Sequence, residues 1–348
     1  MYKTYKGDWY SVNSIFGNDW AMFYVLLGGR EAGKSYTVMN HASLSKLKHK
    51  DNFKFYWFRL TEAATKKLLA DGGDKLIDPD IKARENIKTT KKGDTIYTYT
   101  EEINDKGKKV KTNLKEFCTV LACSTFYNTK GAGYFNKDFK GEYFIVLDEM
   151  NREESEKNSF DIVYNFVNLL ENVARSTKTR IKVVMIGNTL EEASDILAAF
   201  NFIPDTFGRY KLKSKRCVID YIRPNENYLK RRKGTMADIL MPNASTFTNE
   251  VQIDRSLLVN KRQCIFPAYI IKFTKDPNNW FTVWNFSIIK DYNKEQKPVI
   301  SMRRYLDETY NDKQVDNVRE QFDARAFKFV NLATFKRFQK QMRLLKKN

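Results

Sequence analysis

Apolar and polar positions alternate in blocks along the first two-thirds of the chain. Trp20–Leu27 (WAMFYVLL), Phe53–Leu60, Phe117–Ala122, Tyr143–Leu147, Ile181–Ile186 and Arg216–Ile222 are short, largely apolar runs. Such runs predict strands buried on both faces. Between them lie stretches of helical character at 36–47, 61–70, 158–175 and 191–200. In 158–175 the positions Phe160, Val163, Val167, Leu170 and Ala174 recur at helical spacing, which predicts an amphipathic helix. Strands alternating with helices predict a three-layer α/β domain with a mostly parallel sheet. One segment breaks the pattern. Residues 74–115 are polar, 95–100 alternate, and Asp105-Lys106-Gly107 is a turn signal, which predicts a β-hairpin excursion from the sheet.

After Arg223-Pro224 the pattern weakens. Residues 225–262 read as a connector carrying the basic run Lys230-Arg231-Arg232-Lys233. Residues 268–273 and 280–286 read as a hairpin, 298–302 as a further strand, and 323 to the end as one helix, with Phe327, Val330, Phe338, Met342 and Leu345 on one side. The expected organisation is therefore a domain over 1–222, a linker over 223–262 and a small α+β domain over 263–348. A chain of 348 residues is long enough for two cores.

Charge sharpens this division. Residues 1–208 carry 31 basic and 28 acidic side chains, whereas residues 209–348 carry 30 and 14. The net +19 thus resides almost entirely in the second part, which favours a polyanionic partner, nucleic acid first. Four cysteines without a CxxC pair and two histidines exclude a zinc pattern. No apolar run is long enough to predict a membrane span, and the first residues lack an apolar signal segment. Four free thiols fit a reducing cytoplasm.

The chemistry is concentrated after the first strand. Gly28-Gly29-Arg30-Glu31-Ala32-Gly33-Lys34-Ser35 matches GxxxxGK[ST] between a buried strand and a helix. Glycines let the backbone wrap an anion with its N–H groups inward. The first helical turn, through Tyr36, adds further donors. Lys34 is expected to reach the β- and γ-phosphates of ATP, and Ser35 to ligate Mg²⁺. The Tyr143–Leu147 strand runs into Asp148-Glu149. Asp148 is the expected magnesium holder, and Glu149 the base that activates water, which indicates hydrolysis rather than transfer to a metabolite. Asn188, at a strand end, is either a contact for the γ-phosphate or a helix cap.

A stimulating arginine from a neighbouring subunit is expected at Arg175 or Arg180, each of which also suits an ordinary C-terminal cation of a helix. Arg30 and Arg59 are further candidates. Phe16 and Asn18 are candidates for the base, with a plain core role the stronger reading for Phe16. Tyr127 and Lys130 in the loop 124–133 suit either a phosphate backbone or an ordinary surface loop.

GGREAGKS after WAMFYVLL, together with VLDEMNRE and VVMIGNT, resembles the DNA-packaging ATPases of phi29-like bacteriophages, the small terminase-like branch of the additional-strand P-loop ATPases. The resemblance is strong over about 10–222 and weak beyond. It implies that Lys34 and Ser35 are the Walker A residues and Asp148 and Glu149 the Walker B pair, with an arginine finger at Arg175 or Arg180. It implies an ATP- and Mg²⁺-dependent homopentameric ring at the portal vertex of a procapsid, driving double-stranded DNA inward, in some relatives with a packaging RNA. Location would be the host cytoplasm, transiently at the portal, and not the mature virion. The C-terminal domain would resemble a reduced RNase H-like nuclease without cutting activity. Its acids Asp276, Asp291 and Asp307-Glu308 are scattered, whereas Lys230–Lys233 and Arg303-Arg304 suit DNA phosphates. Another nucleic-acid motor such as a helicase, or an ATP-gated scaffold for DNA or portal, remains an alternative.

Overall fold

In the computed structural model, residues 5–6, 9–29, 31–105, 107–151, 160–175, 180–188, 194–204, 206–240, 255–306 and 309–345 are described. The chain divides into two compact units, one of Met1–Leu190 with Thr206–Val251, the other of Glu191–Asp205 with Gln252–Asn348.

The first unit is built on a nine-stranded sheet. Its strands in chain order are β1 (Phe23–Leu27), β2 (Phe53–Arg59), β3 (Lys88–Lys92), β4 (Thr95–Ile103), β5 (Lys109–Ala122), β6 (Glu142–Asp148), β7 (Arg180–Gly187), β8 (Gly208–Leu212) and β9 (Cys217–Tyr221). Across the sheet they lie in the order β8-β9-β1-β7-β6-β2-β5-β4-β3. From β9 to β5 every pairing is parallel, and the outer pairings are antiparallel. The central strands have the doubly buried character their apolar runs predict: Tyr24 to Leu27 and Tyr143 to Leu147 are at most 1% exposed. Helix α1 (Lys34–His49) follows β1 and buries Val38, Met39 and Ala42 against the core. Strand β7 lies between β1 and β6, so the strands preceding the glycine loop and ending in Asp148 are not neighbours.

The hairpin expected within 74–115 is present, with β4 and β5 antiparallel about the turn between them, but it belongs to the main sheet rather than leaving it. Helix α2 (Glu62–Leu69) leads into the Asp71-Gly72-Gly73 turn, and α3 (Pro79–Arg84) begins at Pro79, with Asp78 Oδ1 accepting from Asp80 N. Strands β3 and β4 then extend the plane of the main sheet. The predicted strand over 117–122 is the buried half of β5, which runs unbroken from Lys109. Tertiary packing explains the turn. A Cβ on Gly73 would lie 2.6 Å from the Ile96 side chain, and Gly73 has φ +84°, so glycine is needed where β4 crosses. At the other edge β8 was not evident from periodicity. It is fixed by Arg209, whose Nη2 donates to Asp220 Oδ2 of β9 at 2.7 Å.

Helix α4 (Ile162–Val173) is rotated from the predicted face. It buries Ile162, Phe166, Leu169 and Val173, while Val167 is 49% exposed. Asp161 caps its start by accepting from Tyr164 N, so the helix begins four residues later than 158.

The second unit holds a five-stranded sheet. Strands Pro267–Lys272, Trp280–Trp284 and Ile288–Asp291 form an antiparallel meander, with Val299–Ser301 added parallel to the first and Lys328–Phe329 parallel to the third. The helix expected from 323 to the end begins only at Leu332 and runs to Leu345, and a separate helix, Asp312–Asp323, ends where it was expected to start. Arg325 at φ +54° and the short strand 328–329 lie between the two, and Asn331 Oδ1 starts the second by accepting from Thr334 N at 2.9 Å. Phe338 is fully buried, with its ring 5.2–5.3 Å from those of Phe273 and Phe281. Among the described residues no helix is long and apolar enough to cross a membrane.

Candidate active site

The glycine loop sits where β1 gives way to α1. Glu31 and Gly33 take positive φ, +62° and +88°, and Ala32 O accepts from Tyr10 N at 3.1 Å. This curvature turns the start of α1, with its unpaired N–H groups, toward the sheet's C-terminal edge. Lys34 is 5% exposed, and its Nζ donates to Gly28 O at 2.7 Å and Gly29 O at 2.6 Å. Burial pushes its pKa down to about 8, against the opposing charge of Asp148.

Ser35 Oγ donates to Asp148 Oδ1 at 3.1 Å. Asp148 is 5% exposed. Burial raises its pKa, and Arg59 is the main opposing influence. Arg59 ends β2, and the register Phe58↔Leu147 sets it opposite Asp148. Its Nη2 lies 2.9 Å from Asp148 Oδ2. Its Nη1 is ion-paired with Glu149 Oε2. Glu149 has φ +56°, a strained setting for a non-glycine residue. Met150 N donates to Ile186 O at 2.9 Å and ties this turn to β7.

A cavity of about 800 Å³ opens here. Its wall includes Lys34, Ser35, Arg59, Asp148, Glu149 and Asn188. Glu31, Ala32, Gly33 and Tyr36 line it as well. Of the residues singled out in the sequence, the P-loop and the Asp148-Glu149 pair are therefore brought together with Asn188. Arg59, only one of several arginine candidates in the sequence, proves central to the cluster. Strand register was the signal that could have ranked it first.

Other candidates lie elsewhere. Arg30 falls outside the described residues, as do Asp307 and Glu308. Arg180 starts β7 at the opposite end of the sheet, ion-paired with Asp19 and 3.4 Å from Glu142 Oε2. Arg175 is exposed, has φ +45° and lies over the Phe135 ring at 5.2 Å. Phe16 is core, with ring contacts to Tyr24, His41 and Phe144. Asn18 donates to Ile15 O. Tyr127 is 58% exposed, and Lys130 lies over Phe126. Lys230 and Lys233 are exposed, whereas Arg232 is 7% exposed and pairs with Glu31. Arg303 lies over Tyr305, and Arg304 pairs with Asp312. In the second unit Asp276 caps a turn by accepting from Asn278 N, while Asp291 accepts from Thr334 Oγ1 and pairs with Arg337.

An α/β protein with a large, mostly parallel sheet and polar groups converging at its strand ends is the class defined so far. Neither a protein-family model nor a curated protein matches the sequence. The fold does match solved structures. The bacteriophage Phi-29 viral genome packaging motor assembly aligns at 16% identity and TM-score 0.62, over 97% of this chain and 100% of that one. The Phi-28 gp11 DNA packaging motor aligns at 13% identity and TM-score 0.60, over 98% of both chains. The chain shares the fold of these packaging motors along its length.

Proposed function

We propose that this chain is an ATP-hydrolysing subunit of a motor that drives double-stranded DNA into a phage procapsid, working as a ring, by resemblance a homopentamer, on the portal. One observation carries the reading: Lys34, Ser35, Asp148, Arg59 and Glu149 meet at one cavity, on a fold shared with packaging motors. The strand inserted between β1 and β6 supports the additional-strand class of P-loop ATPase.

ATP phosphates would lie in the curved loop, where backbone N–H groups and the α1 terminus face them. Lys34 would exchange the Gly28 and Gly29 carbonyls for phosphate oxygens; its burial makes that charge interaction strong. Ser35 Oγ and Asp148 Oδ1, already side by side, fit a hard cation and would hold Mg²⁺. That ion, when bound, neutralises charge on the transferring phosphoryl group. Glu149 takes the proton from the attacking water once Arg59 releases it, and Arg59 keeps the carboxylate occupied until then. Asn188 borders the same cavity. For the arginine supplied by a neighbour we favour Arg175, since Arg180 is engaged by Asp19 and Glu142. The second unit would act without cutting DNA: Asp276 and Asp291 serve as cap and ion-pair partner.

The test is ATP turnover with and without double-stranded DNA. Wild type should be stimulated by DNA, and Glu149→Gln should lower kcat about 10²- to 10⁴-fold. Turnover indifferent to DNA would overturn the motor reading and leave a plain ATPase.

A further inference from the structure

In the basic run at the start of the connector, Arg232 is buried against the P-loop, while its exposed neighbour Arg231 lies over Trp9. They lie on helix Glu226–Arg232, which Asn225 caps by accepting from Tyr228 N at 2.6 Å. Tyr228 and Arg232 are one turn apart on the same face and are 1% and 7% exposed. Arg232 Nη1 lies 3.1 Å from Glu31 Oε1 in the P-loop. The Arg231 guanidinium lies 4.1 Å from the centre of the Trp9 ring. Trp9 in turn presses on the loop: a Cβ on Gly33 would come within 3.2 Å of its Cε3. The helix thus reaches the loop at two points, Glu31 directly and Gly33 through Trp9.

We propose that Arg232 is a positioning residue for ATP binding and, with Arg231 on Trp9, forms a clasp that holds the outer side of the P-loop. This rests on the ATPase reading given above. A buried guanidinium is costly unless paired, and Glu31 supplies a carboxylate to this one. Glu31 stands at φ +62°, a conformation that non-glycine residues avoid when nothing holds them. The ion pair therefore helps to keep the loop curved for an anion. Because the helix opens the connector, any shift of Glu31 on nucleotide exchange would also reach the chain beyond Arg232.

Steady-state ATPase kinetics on the full chain test this. The Glu31 side chain is 68% exposed, so Glu31→Gln breaks the pair with little risk to folding. Glu31→Gln and Arg232→Gln should each raise KM for ATP about fivefold, with kcat within about twofold of wild type. The double exchange Glu31→Arg with Arg232→Glu should return KM to within about twofold of wild type. A destabilised enzyme would instead lose active fraction, lowering apparent kcat at unchanged KM. Unchanged KM in both single variants, or no recovery in the double exchange, would overturn the clasp and leave the ATPase reading standing. Failure of wild type itself to bind and hydrolyse ATP would sink that reading and the clasp with it.

Discussion

Strand β6 begins at one carboxylate, Glu142, and ends at another, Asp148. Their surroundings differ in kind. At the start, Glu142 faces two cations, Arg180 Nε at 3.4 Å and Lys182 Nζ at 3.6 Å, and Arg180 also pairs with Asp19. Next to them lies an aromatic cluster of Phe16, His41 and Phe144. Charge there is matched among side chains of the fold. At the far end Asp148 and Glu149 share a single arginine, and Lys34 rests on backbone carbonyls beside a cavity. The first end is arranged for stability. The second keeps the charges of Lys34 and Asp148 buried beside a cavity that an anionic substrate would complete.

Substitutions at the two ends should therefore separate activity from stability. The largest effect is expected at the cavity. Lys34→Ala should lower kcat/KM for ATP about 10²- to 10³-fold while leaving the melting temperature unchanged or higher, because a buried cation is removed. A variant that melts well below wild type would show that Lys34 holds the fold together. Next comes His41, whose pKa burial pushes down to about 4, with Lys182 adding to the shift. The folded imidazole binds its proton less tightly than the unfolded one. Stability is then complete above about pH 6.5 and is lost as pH falls toward 4. About 2 kcal/mol should go between pH 6.5 and 5, read by denaturant unfolding. His41→Phe should flatten that dependence, and an equally steep profile in the variant would assign the loss elsewhere. The smallest effect belongs to Glu142→Gln, about 1 kcal/mol of stability with ATP turnover unchanged. A marked loss of turnover would mean that the two ends of β6 are coupled.

Much of this site was legible in the residues. A GxxxxGK[ST] loop needs only local backbone geometry, and an apolar strand ending in two acids fixes where they emerge. What could not be read depends on neighbours distant in sequence. Gly73 is required by Ile96, which packs over it. Arg59 gains its role from standing opposite Asp148 in the register of β2 and β6. Helix Asp312–Asp323 escaped notice because only Val315 and Val318 are buried in a polar stretch. Arg232 lies within Lys230–Lys233, where a run of cations reads as a solvated face. Its one local signal is the tyrosine a turn earlier. The division into compact units likewise assigns Glu191–Asp205 to the second unit, where Arg337 Nη2 donates to Asn201 Oδ1 at 3.0 Å.

Strand β3 forms the outer border of the large sheet, and its sequence is Lys-Thr-Thr-Lys-Lys. An unpaired border is a template on which another strand can grow. Lys91 and Lys92 turn that template into a repulsive one, since two copies meeting border to border would bring their ammonium groups together, whereas Lys88 is ion-paired with Glu101 at 2.6 Å. Lys91 and Lys92 thus act as a guard against fibrous self-association.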